Sequence, residues 1–331
     1  MAQQYSFRDY VDGLGNLSVN CMLQDRSGFL WIGTESGLYQ YDGSRFWQFG
    51  QKDGLPSGFV RALTLDRDGR LWVGTRDGLA FRTGQGSFST VTYQHQNLKI
   101  PYDSSLAPSP DGSLYAVTQF GVLIVQSQQG GRSWQASPLP SASKTGQIDP
   151  NSVHSVLVKP DRSVLIGCGK GLCEISRGKL LKYGESSGLP EDEWKCLLLR
   201  RNGELWARGP KYIAMLAPGH KKFEIRNPAG HVPSDVTYLS LAEDRSGAVL
   251  AGFGSDVGRY VAGRWQIVSE AQGFGKGTVA SIIQDREGMV WFGLLGHGIR
   301  KWLGYGDWEH WTTKQGLHSD EIWALQQDSH R

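Results

Sequence analysis

Asp66–Leu79 reads DRDGRLWVGTRDGL, and close copies recur as DRSGFLWIGTESGL from Asp25 and DREGMVWFGLLGHGI from Asp285. Looser copies lie between them: SPDGSLYAVTQFGV from Ser109, KPDRSVLIGCGKGL from Lys159, RRNGELWARGPKYI from Arg200 and DRSGAVLAGFGSDV from Asp244. Anchored on their fourth residue, the copies fall at Gly28, Gly69, Gly112, Arg162, Gly203, Gly247 and Gly288, spaced 41, 43, 50, 41, 44 and 41 residues apart. A period of roughly 40–50 residues built from strand-like segments marks a β-propeller in which each copy is one four-stranded blade. The expectation is an all-β, seven-bladed propeller of antiparallel blades filling residues 1–331 as one domain.

Within a copy the strands follow in order. SVNCMLQ from Ser18 and VRALTL from Val60 alternate apolar and polar residues, the period of a strand, here strand A. DxxG then turns the chain, because Asp can bond its own downstream backbone and Gly accepts positive φ. FLWIGT from Phe29 and RLWVGT from Arg70 form strand B, and LYQYDG from Leu38 forms strand C. Aromatic words form strand D: FWQFG from Phe46, FEIRN from Phe223, RWQIV from Arg264 and DWEHW from Asp307. The large position of strand B holds Trp31, Trp72, Tyr115, Leu165, Trp206, Leu250 and Trp291 in turn. One blade alone cannot bury such a residue, so the neighbouring blade must cover it.

Both chain ends carry surplus strand-like sequence. YSFRDY from Tyr5 resembles a strand D, and GLHSDEIWALQQDS from Gly316 begins an eighth copy that stops before its anchor. Either an end segment pairs into another blade and closes the ring, or the chain is a piece of a longer protein whose blades continue. The unfinished copy favours the second account.

Bulk properties narrow the function. Of 331 residues, 44 are Gly and 12 Trp, a turn-rich and aromatic-rich balance. The formal charge is +3 from 35 basic and 32 acidic residues, with no run of one sign, so nothing marks a nucleic-acid or anionic-lipid footprint. No segment reaches the roughly 20 apolar residues of a membrane span. Ala2–Gln3 resembles the residue of a small-residue cleavage site, a hint of export. Cys21, Cys168, Cys173 and Cys196 have neither CxxC spacing nor His partners, which argues against a metal centre and leaves burial as small core residues. Cys168 and Cys173 flank a reversal, so a cross-hairpin disulfide is the alternative for that pair.

The WD40 and kelch signatures are absent. Gly54–Gly78 instead closely resembles the two-component regulator propeller repeat, GLPSxxVxxIxxDxxGxLWxGTxxGLxxYDG, whose tail is matched by Leu38, Tyr41, Asp42 and Gly43 of the first copy. Copies three to six are weaker, with Arg162 at the anchor and Arg208 at the strand-B Gly. The resemblance implies the extracytoplasmic, periplasmic sensor propeller of a bacterial receptor. Such a propeller binds a carbohydrate or other small ligand and signals to a histidine kinase or diguanylate cyclase. It needs no cofactor, and neither output module is present in this chain.

Ligand groups are expected where the loops joining D to A and B to C share one face around the channel mouth. The B–C tips offer Glu35, Arg76, Asp77, Gln119, Phe120, Lys170, Lys211, Ser255 and His297, and the approaches to strand A offer Asp192, Glu193, Trp194, Asp235, Lys276 and Asp320. Arg76, Lys170 and Lys211 suggest a cationic rim, and Trp194 or Phe120 a stacking platform. Each of these residues taken singly is equally an ordinary solvated loop residue. GCGKG at Gly167 precedes a strand and lacks Walker spacing, so it is not a phosphate loop. Two other functions compete with the sensor. One is a protein-interaction or homodimerisation platform using Trp308 and Trp311. The other is a lyase or hydrolase with His297 and Glu35 as its acid/base pair.

Overall fold

Each repeat folds as one antiparallel sheet in the structure, a computed structural model that describes residues 4–84, 86–128, 133–140, 148–230 and 238–306. Blade 2 shows the plan. Strand A is Val60–Leu65, B is Leu71–Thr75, C is Gly78–Gly84 and D is Ser87–Tyr93, with a short fifth strand Gln96–Asn97 outside. The seven A strands, Val19–Gln24, Val60–Leu65, Leu106–Pro108, Val153–Val158, Cys196–Leu199, Leu241–Glu243 and Thr278–Gln284, pack each against the next and the last against the first. They enclose a central channel. Strand B lies mid-sheet between two blades, and Leu30–Thr34 and Leu71–Thr75 are buried throughout.

The ring closes with the N-terminus. Ser6–Tyr10 pairs antiparallel with Gly298–Leu303 and becomes strand D of blade 7, with Phe7 opposite Trp302 and Asp9 opposite Arg300. The N-terminal surplus is therefore the closing strand. The outer strand of blade 7 among the described residues is this segment rather than DWEHW from Asp307. Closure by an end segment covers the outer edge of Gly298–Leu303 and ties the start of the described chain into the last blade. Asp307–Arg331, with Trp308, Trp311, Asp320 and the eighth copy, lies outside the described residues, as does Asp235.

The repeat words acquire a mechanism at the A–B turn. Asp66 Oδ1 accepts the backbone N–H groups of Asp68 and Arg70, while Oδ2 accepts the indole N–H of Trp72 at 3.0 Å. The same pattern joins Asp25 to Trp31 at 2.7 Å and Asp285 to Trp291 at 2.6 Å. The buried carboxylate and the buried indole satisfy each other, which is why the two residues occur together. Where blade 5 has Arg200 in place of Asp, Glu204 takes the Trp206 indole N–H at 3.0 Å. Where blade 6 has Leu250 in place of Trp, the hydroxyl of Tyr305 donates to Asp244 instead, at 2.5 Å.

Each of these rings packs across a blade boundary. Trp31 is fully buried with Val60, Val73 and Phe88 of blade 2, Trp72 with Leu114 and Leu123 of blade 3, and Trp206 with Val249 and Phe253 of blade 6. Tyr115 and Trp291 sit in the corresponding clusters between blades 3 and 4 and between blades 7 and 1. The Gly of LWxGT permits this approach, since a Cβ on Gly33 would lie 2.5 Å from Val60 Cγ1 of the next blade. Blade 5 breaks the rule with Arg208, which is wholly buried and donates to the carbonyls of Ser240 and Gly252 in blade 6.

A belt of arginines runs around the face formed by the A–B turns. Arg245 donates to the carbonyl of Arg286, Arg286 to that of Arg26, Arg26 to that of Arg67, and Arg67 to that of Pro110 at 3.2 Å. Arg201 reaches Asp244 in the same manner. An arginine at the second position of the turn thus ties blades 1, 2, 5, 6 and 7 each to the next, and the belt is interrupted where Pro110 and Pro160 stand in blades 3 and 4.

Candidate functional site

The B–C turns and the approaches to strand A share what we term the upper face; the arginine belt marks the lower face. On the upper face a pocket of about 320 Å³ opens between blades 2, 3 and 4. Its charged lining is Arg61 from the start of strand A, Arg76 from the B–C turn and Lys99 from the connection between blades 2 and 3. Tyr102, Gln119 and Asn151 add polar groups, and no carboxylate lines it among the described residues. Phe59 holds both guanidinium groups, each 5.2 Å from the ring centroid. Arg61 also donates to the carbonyl of Pro101, and Gln119 braces the loop by accepting from Lys99 N and donating to Asn97 O, both at 2.8 Å. Two arginines and a lysine held without a lining acid can take a carboxylate or sulfate through charge-assisted hydrogen bonds.

The expected rim of Arg76, Lys170 and Lys211 is not assembled. Arg76 lines the pocket; Lys170 sits on blade 4, 3.3 Å from Glu191, and Lys211 is an exposed residue of blade 5. Trp194 does not reach the surface: it is fully buried with Leu165, Leu205 and Phe223, so it is a core residue rather than a stacking platform. Phe120 is half-buried and edge-on to Tyr93 at 5.4 Å, inside the blade 2–3 core. Glu35, Asp77, Ser255 and Lys276 are exposed. His297 is exposed, with Nδ1 3.0 Å from the carbonyl of Leu295 in its own turn. Asp192 is buried and accepts the N–H groups of Lys211 and Tyr212, while Glu193 pairs with Lys195 at 2.9 Å, which lowers its pKa. Cys168 and Cys173 are joined as a disulfide across the B–C turn of blade 4, and Cys21 and Cys196 are buried thiols.

Sequence reasoning missed Arg61 and Lys99. Arg61 occupies an ordinary strand-A position in the best-conforming copy, and Lys99 lies in a connection that aligns with no other blade. The interval holding Lys99, 43 residues from Gly69 to Gly112, is ordinary for the repeat, so spacing gave no signal there.

A larger cavity, about 830 Å³, opens on the lower face and runs up the channel. Leu65, Leu106, Val156, Leu157, Leu197 and Leu199 line it from the A strands of blades 2 to 5, and Asp103 and Ser104 lie at its inner end. They belong to a one-turn helix, Asp103–Ser105, that packs against strand A of blades 2 and 4. Burial away from water raises the Asp103 carboxyl to about 7. No group of three or more His, Cys, Asp or Glu residues suited to a metal ion occurs among the described residues.

Comparison with known proteins agrees with the repeat. Residues 13–36 and 54–77 match the model of the two component regulator propeller family. Among solved structures, an extracellular domain from B. thetaiotaomicron, described as part of a hybrid two component system, is 20% identical with a TM-score of 0.71, covering 90% of this chain and 39% of its own. A second such domain from the same organism is 16% identical with a TM-score of 0.76, covering 90% of this chain and 41% of its own. This chain therefore spans well under half the length of either. Virginiamycin B lyase from Staphylococcus aureus is 12% identical with a TM-score of 0.69, covering 90% of this chain and 99% of its own. At these identities the likeness is one of fold. A search of curated proteins gives no match. Among the described residues no helix is long and apolar enough to cross a membrane.

Proposed function

We propose that this chain, two segments of which match the two component regulator propeller model, is an extracytoplasmic sensor propeller that binds an anionic small ligand at its upper face. The ligand class is a uronate, a sulfated sugar or another carboxylate-bearing molecule of one or two rings. The observation carrying this reading is the pocket bounded by Arg61, Arg76 and Lys99 with no acidic lining residue among the described residues, in a chain whose overall charge is only +3. The family match and the extracellular setting of the similar B. thetaiotaomicron domains support a periplasmic receptor, with occupancy passed to a kinase or cyclase elsewhere in that receptor. The chain itself does no chemistry in this reading.

Calorimetric titration with glucuronate, sulfated disaccharides and their neutral counterparts tests it. Anionic sugars bind and raise the melting temperature, neutral ones do not, and Arg76→Ala weakens binding at least tenfold. Equal binding of charged and neutral sugars, or binding untouched by Arg76→Ala and Arg61→Gln together, would overturn the assignment.

A further inference from the structure

The lower cavity is larger than the upper pocket and chemically its opposite. Its 830 Å³ falls within the range of roughly 300–1,000 Å³ typical of small-molecule sites, and its walls are mostly apolar. Leu65, Leu106, Leu157, Val158, Leu197 and Leu199 are only half-buried, so the channel leaves their apolar surface uncovered.

One half-buried carboxylate at the inner end has no direct ion-pair partner among the described residues. Asp103 Oδ1 accepts the N–H of Ser104 at 2.9 Å. Two cations stand near enough to favour its charged form without bonding to it: Lys195 pairs with Glu193 at 2.9 Å, and Arg208 donates to the carbonyls of Ser240 and Gly252. The other acid on the wall, Asp66, is held by Trp72. At the outer mouth stand Arg26 and Arg67, so the charge runs from positive at the opening to negative inside.

From this arrangement we infer that the channel cavity is a second binding site, distinct from the upper pocket, for an apolar amine. Its aliphatic or aromatic body lies along the strand-A side chains, and its protonated nitrogen meets Asp103. An ammonium supplies the direct ion pair that the half-buried carboxylate lacks, and the apolar body covers side-chain surface that the channel leaves open. The arginines at the mouth turn the cationic head inward. The site does not depend on the upper pocket having a ligand.

Three probes of equal length separate charge from greasiness: hexylamine, hexanol and hexanoate, titrated into the full chain at pH 8 by calorimetry. Hexylamine binds at least tenfold more tightly than the other two, and Asp103→Asn abolishes that preference while hexanol binding persists. Ser104→Ala, beside the carboxylate, keeps the preference and controls for disturbance of the turn. Equal affinity for the three probes, tightest binding of hexanoate, no binding at all, or an amine preference surviving in Asp103→Asn would each overturn the inference.

Discussion

Arg300 holds Asp9 in a two-pronged ion pair, Nε to Oδ1 at 2.6 Å and Nη2 to Oδ2 at 2.9 Å, across the seam where the two ends of the described chain meet. The same guanidinium donates to the carbonyls of Phe274 and Lys276 and stacks 5.2 Å from the Phe274 ring centroid. Closure of the ring therefore has an electrostatic clasp on top of the strand ladder.

Breaking that clasp from its two sides should have unequal effects. Asp9 is partly exposed, so Asp9→Ala should cost only about 1 kcal/mol. Arg300 is nearly buried and serves three acceptors, so Arg300→Met should cost about 3 kcal/mol. Removal of residues 1–10 should cost more than either, because it leaves Gly298–Leu303 as an open edge. Equilibrium urea unfolding monitored by tryptophan fluorescence gives the order.

The Asp66–Trp72 bond predicts a loss that packing alone would not. Trp72→Phe keeps an aromatic ring but removes the donor from a buried carboxylate, and should cost about 2–3 kcal/mol. Trp72→Ala should reach about 3–5 kcal/mol. If Trp72→Phe in an Asp66→Asn background costs as much as in the wild-type chain, the hydrogen bond is not the cause.

Arg162 is the one anchor position without glycine, and its φ is +67°. Left-handed backbone costs an L-residue about 1–2 kcal/mol, while glycine adopts it freely. Since Arg162 is exposed, Arg162→Gly should stabilise the chain by about 0.5–1 kcal/mol. Gly69→Ala, at φ +83°, should do the reverse. Thermal melting of the two variants settles the sign.

Asp103 makes stability depend on pH in an unusual direction. Its carboxyl titrates at about 7 in the folded chain against about 3.9 unfolded, so the native state holds the extra proton between those values. The charge penalty is absent near pH 4, grows as pH rises, and is complete above 7. Of the groups that face it, Arg208 and Lys195 favour the charged carboxylate but are outweighed by its burial, while burial pushes the thiols of Cys21 and Cys196 and the phenol of Tyr238 upward, so these stay neutral over the range. Asp103→Asn should therefore be more stable than the wild-type chain at pH 8 by a few kcal/mol, with the difference vanishing by pH 4. Parallel unfolding curves across that range are the measurement.

Architecture was legible because it is periodic. A word such as LWVGT carries its own turn, its own buried ring and its own close-approach glycine, so seven copies announce seven blades. The carboxylate partner of the indole was present in the same word but was read only as a turn residue, since nothing in a linear pattern shows that Trp72 Nε1 points back at Asp66. The site was far less legible. Arg76 was visible as a loop departure, whereas Trp194 looked like a loop residue and proved to be core.

By itself the sequence determined the blade count and the strand order within each blade, because each depends on contacts between residues near in sequence or on a repeated interface. The tertiary structure decided which segment closes the ring, that Arg61 and Lys99 join Arg76, and that a half-buried acid faces an apolar channel. Those outcomes depend on residues from different blades meeting around one axis. A period in the sequence states that blades stack, but only the closed ring brings their non-repeating residues together.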